Sequence, residues 1–241
     1  MNAALAWHSG AAGQPGPGRP SSEDNHLNAP EAGIWAVADG MGGHRDGALA
    51  SAMLVEELHA ALLPLAPLGQ RVAAAQTAIG EAANRLSKMA GTGRSPGSTI
   101  SVLLLGESHA VCLWVGDSRI YLRRNGTLFQ LTRDHSLAQE MIDSGLIASA
   151  EEARAAQRSG LTRAVGAGAT LAIDRVVVPV QAGDRLLICT DGVSTVVPAA
   201  AMVAALDSTP VEAAQALIKL AAEMGGFDDV TALVVAIDAA L

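Results

Sequence analysis

The chain has 241 residues, of which half are apolar and 2% are aromatic, and its formal net charge is −8. This length allows one generous domain or two small ones, and the apolar content is sufficient for a sizeable core. The negative charge and the scarcity of aromatic side chains argue against nucleic-acid binding, which normally uses basic surfaces and stacking platforms.

The two cysteines, Cys112 and Cys189, each lie inside an apolar run. This placement is typical of small buried side chains in a reducing compartment, not of a disulfide framework. The sequence has no apolar stretch long enough to span a bilayer, and 1–7 lacks the basic start of a secretory signal. We therefore expect a cytoplasmic protein without membrane contact.

The first hundred residues predict a loop, a strand and two helices. The segment 10–22 is rich in Gly, Pro and Ser, so we expect it to be irregular and exposed. The apolar run 34–38 indicates a strand that ends in a turn at Asp39. Apolar residues at three- and four-residue spacing predict helices over 46–65 and 72–89. A loop over 91–97 follows.

The remaining residues predict a sheet with further helices. The continuous apolar runs 99–105 and 110–115 are typical of strands buried on both faces. Asn125 and Gly126 between two short strands predict a hairpin, so the sheet is at least partly antiparallel. The other predicted elements are a helix at 136–158, strands at 171–180, 185–190 and 231–237, and two helices between the last two strands. No linker or repeat divides the chain, so we predict a single domain over 1–241.

Four aspartates, Asp39, Asp117, Asp191 and Asp228, follow or precede apolar runs. Strands of one sheet can bring such terminal residues together, and clustered carboxylates repel one another unless a cation neutralises them. Convergence would therefore imply a hard cation such as Mg²⁺ or Mn²⁺. Asp-Gly is also ordinary turn chemistry, so any single one of these aspartates says little.

Seven short motifs in chain order resemble the bacterial form of the protein phosphatase 2C (PPM) family. The motifs are Gly18-Arg19 with Glu23-Asp24, 37–44 (VADGMGGH), 116–119 (GDSR), 131–136 (LTRDHS), 161–166 (LTRAVG), 190–192 (TDG) and 227–231 (FDDVT). Each motif is weak alone, but the ordered set spans nearly the whole chain and is specific.

The resemblance implies both a fold and an activity. The expected fold is α+β, a four-layer αββα sandwich of two mainly antiparallel sheets flanked by helix pairs. The expected activity is hydrolysis of phosphoserine or phosphothreonine in proteins, with two or three Mg²⁺ or Mn²⁺ ions activating a water. The implied partners are phosphorylated proteins, with a bacterial serine/threonine kinase as counterpart, and we expect a monomer.

The same resemblance assigns roles to individual residues. The implied metal ligands are Glu23, Asp39, Gly40, Asp117, Asp191 and Asp228. Asp39 would bridge two ions, Asp191 and Asp228 would hold the first, and the Gly40 carbonyl would bind the second. Arg19 would grip the substrate phosphate with its planar fork, and it forms the implied catalytic group together with Asp39 and Asp191.

The resemblance implies further roles for three acidic residues. Glu23 would reach the second ion directly or through water, Asp24 would support the bound waters, and Asp117 with Asp191 would contribute to a third ion site.

Two residues depart from the better-known family pattern. Met41 stands where eukaryotic members have a histidine proposed as general acid, so we assign no general acid. Asp229 replaces the usual asparagine beside Asp228. It adds a negative charge near the first ion, and it either alters metal affinity or exchanges roles with Asp228, which we favour as the ligand.

Three alternatives compete with this interpretation. Residues 93–97 fit the G-x-S-x-G pattern of serine hydrolases, but the strand and helix around them are predicted in the wrong order for a nucleophile elbow. A non-catalytic phosphoprotein-binding module on the same scaffold would be indicated by lost carboxylates, and all of them are present. A metal-dependent phosphodiesterase acting on nucleotides should show a base-recognition pocket, which the few aromatic residues disfavour.

Overall fold

The computed structural model describes residues 5–64, 66–89, 96–147, 160–167 and 171–240. The strands are β1 (Leu5–Gln14), β2 (Asp24–Ala29), β3 (Ile34–Met41), β4 (Gly97–Ser98), β5 (Ile100–Leu105), β6 (His109–Val115), β7 (Arg119–Arg124), β8 (Thr127–Gln130), β9 (Asp174–Pro179), β10 (Arg185–Cys189) and β11 (Val230–Ala239). The helices are α1 (His44–Ala60), α2 (Leu68–Met89), α3 (Leu137–Asp143), α4 (Asp191–Ser194), α5 (Ala199–Ala205) and α6 (Pro210–Glu223).

The strands form two sheets. The first has the order β1-β11-β10-β7-β8, and the second has the order β2-β3-β5-β6-β9, with the short β4 beside β3. All pairs between these strands are antiparallel. With α1 and α2 packed on the second sheet and α4 to α6 on the first, the predicted four-layer sandwich is confirmed.

Alternating residues of β5 show how the layers are built. Leu103 and Leu105 point between the two sheets, where they pack with Trp35 of β3. Val102 and Leu104 point the other way, against the layer formed by α1 and α2. Because both faces of the strand are covered, every residue of β5 is buried. This explains the continuous apolar run in the sequence.

The predicted hairpin between β7 and β8 is also confirmed. Asn125 has φ 51° and Gly126 has φ 76°. A two-residue connection with both φ values positive matches the twist of the paired strands. Arg124 pairs with Thr127 at its base.

The segment 10–22 was predicted to be irregular; this is wrong for 10–14, which belong to β1, and confirmed for 15–22, which contain no helix or strand. The ten residues of β1 pair in register with β11, from Leu5 opposite Ala239 to Gln14 opposite Val230. A Cβ on Gly10 would lie 2.5 Å from the backbone nitrogen of Val211 in α6. The glycine is therefore needed for close contact with a helix, whereas in the sequence it looks like a loop residue.

The helices differ from prediction mainly at their ends. α1 ends at Ala60, and Leu49 is 43% exposed although its spacing suggested burial. Met89, the last residue of α2, is 45% exposed. Of the helix predicted at 136–158, α3 covers Leu137–Asp143. Residues 148–159 lie outside the described residues, as do 90–95 of the predicted loop.

None of the helices in the described ranges combines the length and the hydrophobicity needed to traverse a bilayer.

The contact between β1 and α6 can be tested by replacing Gly10. We expect Gly10→Ala to lower the free energy of unfolding by about 2 kcal/mol, because the added methyl group overlaps helix backbone that cannot rotate away. The matched control is Gly80→Ala in α2, where a Cβ would meet nothing within 4 Å. That change should be neutral or stabilising by up to about 1 kcal/mol. Urea denaturation measures both, and equal stability of the two variants would contradict the packing.

Candidate active site

A cavity of about 670 Å³ opens where strand ends of the two sheets meet. Its acidic lining consists of Glu23, Asp39, Asp117, Asp191 and Asp228, and it also includes Arg19, Gly40 and Met41. The structure thus brings together all four aspartates that were singled out in the sequence. Phe227, which is 62% exposed, and Val196 form part of the rim.

Each aspartate is placed by the end of a strand. Asp39 lies near the end of β3, and Asp117 lies in the turn between β6 and β7. Asp191 follows β10 as the first residue of α4, while Asp228 precedes β11. Because β10 and β11 are neighbours in one sheet and β3 belongs to the other, the carboxylates converge from both sheets on one side of the sandwich.

A hydroxyl network connects Asp39 with the turn that holds Asp117. The Asp39 amide donates to Thr99 Oγ1 at 3.0 Å, and Ser98 Oγ donates to the Asp39 carbonyl at 2.9 Å. Thr99 Oγ1 lies 2.8 Å from Ser118 Oγ. Ser118 is buried and does not line the cavity, so it shapes the turn. The role of Thr99 was not predicted.

Glu23 is positioned by a close approach of two glycines. The Gly40 amide donates to the Glu23 carbonyl at 3.2 Å, and Ser51 Oγ donates to the same carbonyl at 2.5 Å. A Cβ on Gly40 would lie 2.0 Å from the carbonyl oxygen of Gly47 in α1, and a Cβ on Gly47 would lie 2.0 Å from Glu23 Oε2. Sequence reasoning missed Gly47, because the need for glycine there arises from a contact between distant segments.

Asp24 lies behind the cavity wall and does not line it. It pairs with Asp39 across β2 and β3, and its Oδ2 accepts hydrogen bonds from Thr190 Oγ1 at 2.9 Å and Thr231 Oγ1 at 2.8 Å. Both threonines stand in the motifs quoted above, although no role was assigned to them. They tie β10 and β11 of one sheet to β2 of the other.

Asp228 and Asp229 point to different sides. Asp228 lines the cavity with its side chain 42% exposed, whereas Asp229 is 2% exposed and does not line it. Arg19 contacts both, with Nη2 2.7 Å from Asp228 Oδ1 and Nη1 2.8 Å from Asp229 Oδ2. Of the two aspartates, Asp228 is therefore the one placed to meet an ion.

Three carboxyl groups of the acidic cluster have raised pKa values, so they retain their protons more readily than isolated carboxyl groups do. Burial and the surrounding carboxylates, led by Asp24 and Asp191, hold the pKa of Asp39 well above its usual range. Burial, followed by the charge of Asp191, raises the pKa of Asp117 to about 7. Burial and the charge of Asp228 raise the pKa of Asp191 to about 6. These shifts express a shortage of positive charge in the cavity.

The donor set fits hard divalent cations. Asp191 Oδ1 is buried and has no hydrogen-bond partner among the described residues, and the same holds for Asp24 Oδ1. A buried carboxylate oxygen without a donor is costly unless a cation faces it. As they stand, no three acidic, histidine or cysteine side chains of the described ranges are spaced to close around one ion.

The threonine contacts to Asp24 predict that removing one of the two hydroxyl groups lowers stability. We expect Thr231→Val to lower the free energy of unfolding by about 2 kcal/mol, because a buried carboxylate loses one of its two hydroxyl donors. Thr127→Val at an exposed position of β8 is the control and should change stability by less than about 0.5 kcal/mol. Urea denaturation at pH 7 distinguishes them, and an unchanged midpoint for Thr231→Val would contradict the contact.

Comparison with known proteins agrees with this geometry. The protein phosphatase 2C family model matches residues 21–224. The serine/threonine phosphatase stp of Listeria innocua is 36% identical over 233 residues, which cover 90% of either chain.

Solved structures superpose over almost the whole chain. PppA, a key regulatory component of the T6SS in Pseudomonas aeruginosa, has a TM-score of 0.87 and 33% identity and covers 98% of this chain and 100% of its own. The catalytic domain of the phosphatase PstP, in complex with two manganese ions, has a TM-score of 0.84 and 30% identity over 97% of this chain and 99% of its own. The chain therefore belongs to the protein phosphatase 2C family.

Proposed function

We propose that this protein is a metal-dependent phosphatase that hydrolyses phosphoserine and phosphothreonine in proteins. The observation that carries the proposal is the wall of five carboxylates facing Arg19 in a single cavity. Carboxylates gathered in this way suit hard divalent cations, and a guanidinium beside them suits a phosphate dianion. The named relatives, which are serine/threonine phosphatases, support the same activity.

The proposed metal ligands are those implied by the motifs, namely Glu23, Asp39, Gly40, Asp117, Asp191 and Asp228. Asp39 is central because the charges of the neighbouring aspartates, among them Asp191 and Asp117, act on it. Two Mn²⁺ ions accompany the related PstP domain, and Asp117 would allow a third ion. Bound Mg²⁺ or Mn²⁺ would supply a nucleophilic water at neutral pH and offset phosphoryl charge.

The protein's own residues bind and orient the substrate. Arg19 presents a planar fork at the cavity edge, and its Nη2 already lies against an oxygen of Asp228. A phosphate oxygen can take the place of that carboxylate oxygen, since both are anionic acceptors of the same nitrogen. Met41 lines the cavity without an acidic proton, so it cannot protonate the leaving group.

The biological setting forms part of the proposal. The substrates are phosphorylated proteins, and the counterpart is a serine/threonine kinase whose phosphate groups this enzyme removes. The two cysteines are free and buried, and burial raises the pKa of both thiols to about 12, which suits a reducing cytoplasm. We propose that residues 1–241 act as one catalytic domain and as a monomer.

A non-catalytic phosphoprotein-binding module remains the competing function on this scaffold. Such a module has no use for a full set of clustered, mutually repelling carboxylates, which are expensive to keep without an ion. The complete set at the cavity wall therefore favours catalysis. A phosphothreonine peptide assay with Mn²⁺ titration and a chelator control separates the two functions, because a binding module would hold the peptide without releasing phosphate.

Asp191→Asn provides the matching test by mutation. We expect kcat/KM to fall at least about 10³-fold, or about 4 kcal/mol of transition-state stabilisation, because one carboxylate ligand is lost. Thermal stability without metal should be unchanged or higher, since one repelling charge is removed.

Asp207→Asn serves as the control for that mutation. Asp207 pairs with Arg123 on the protein surface, outside the cavity, and its replacement should leave turnover at the parent level. Near-normal turnover of Asp191→Asn would refute the assignment.

A further inference from the structure

Asp229 is a buried carboxylate that accepts three hydrogen bonds. Its Oδ1 accepts from the Gly16 amide at 2.7 Å, and its Oδ2 accepts from the Glu23 amide at 2.7 Å and from Arg19 Nη1 at 2.8 Å. All three donors belong to the segment between β1 and β2. A single side chain at the start of β11 therefore fixes both ends of the segment that carries Arg19.

The segment 16–23 is also held close to the backbone beside Asp229. A Cβ on Gly16 would lie 2.9 Å from the carbonyl oxygen of Phe227 and from the carbonyl carbon of Asp228. The Arg19 amide donates to the Gly16 carbonyl at 3.0 Å, and Gly18 has φ 78°. The segment is thus a tight turn that lies directly on residues 227 and 228, with Arg19 projecting from it.

The two ends of the Arg19 guanidinium have different surroundings. Nη1 contacts Asp229, which is buried and outside the cavity lining, whereas Nη2 contacts Asp228, which lines the cavity. Partial burial lowers the pKa of Arg19, but the charges of Asp228 and Asp229 outweigh this and raise it. One nitrogen is therefore anchored in the protein, and the other is presented to the cavity.

We propose that Asp229 is a positioning residue, whose carboxylate anchors the Nη1 end of Arg19 and the surrounding turn so that the Nη2 end meets the substrate phosphate. This inference rests on the proposed function, because it assumes that Arg19 binds the phosphate. It replaces the expectation that the extra charge of Asp229 serves the metal ions.

In this chain, which has aspartate in place of the usual asparagine, the number of donors matches a carboxylate. Two backbone amides and a guanidinium point at Asp229 from two sides, and each of its oxygens is an acceptor. An asparagine in the same place offers one acceptor oxygen, while its NH₂ group would face an N–H donor. It also removes the charge that strengthens the bond to Arg19.

The test is a double-mutant cycle with Asp229→Asn, R19A and the combined variant, each loaded with Mn²⁺. We measure kcat and KM for a phosphothreonine peptide and the inhibition constant of inorganic phosphate. In the parent background, Asp229→Asn should raise KM and the phosphate inhibition constant about fivefold, with a smaller change in kcat. In the R19A background the same change should have less than about a twofold effect, because its target is already gone.

The matched control is Asp184→Asn. Asp184 is also a buried carboxylate that accepts one backbone amide, from Gln181, and a bidentate arginine, Arg124, but it lies outside the cavity lining. The Asp184→Asn variant should lose stability as Asp229→Asn does, and its inhibition constant for inorganic phosphate should equal that of the parent protein. Equal effects of Asp229→Asn in both backgrounds, or an unchanged inhibition constant, would overturn the inference.

A further variant, R19K, covers the case in which Asp229→Asn does not fold. Lysine keeps the charge but lacks the planar fork whose two nitrogens face Asp229 and the cavity, so the phosphate inhibition constant should rise at least about fivefold. A parent-like value for R19K would overturn the inference.

Failure of the proposed function has a different signature. A parent protein that releases no phosphate with Mn²⁺ would refute the phosphatase itself, and with it the role given to Arg19. An active, chelator-sensitive parent without coupling between positions 19 and 229 would refute the positioning role alone.

Discussion

The site depends on one constraint, the mutual repulsion of carboxylates that the fold brings together. Asp39, Asp117 and Asp191 all have a raised pKa, because burial and neighbouring carboxylates disfavour their charged forms. The fold holds them by packing two sheets whose strand ends meet at a single cavity. A protein would not keep such a cluster for stability, since buried charges without partners are destabilising. The cluster is explained by the cations it can hold.

Threonine hydroxyl groups around the cluster hold its carboxylates and their neighbours in place. Thr190 and Thr231 donate to Asp24, and Thr99 connects Asp39 with the turn of Asp117. These contacts join the two sheets, so the positions of the carboxylates are set by the packing of the whole sandwich. Such rigidity matters because phosphoryl transfer depends on the alignment of the attacking and leaving oxygens.

The sequence predicts individual strands and the carboxylates well, because both leave local signals, whereas the four-layer arrangement was implied by the resemblance to the family. Strands buried on both faces are continuously apolar, and the aspartates stand in short motifs. The end of β1 was not predicted, because this strand is formed by pairing with β11, which is distant in sequence. The glycine at position 10 is required by contact with α6, which the sequence does not show. Motif position favours Asp228 over Asp229 as the ligand, and the structure places Asp228 in the cavity lining, but the hydrogen bonds of Asp229 to residues 16–23 leave no signal in the sequence. A one-dimensional reading places Asp228 and Asp229 together, whereas the fold separates them.

The most direct test of this account is anomalous diffraction at the manganese edge from crystals grown with Mn²⁺. We predict two adjacent peaks in the cavity, about 3.5–4 Å apart. Asp39 should lie between the two peaks, and Asp191 and Asp228 should both lie beside the first of them. Manganese bound elsewhere, or an empty cavity at saturating Mn²⁺, would contradict the claim that these carboxylates exist to hold a pair of ions.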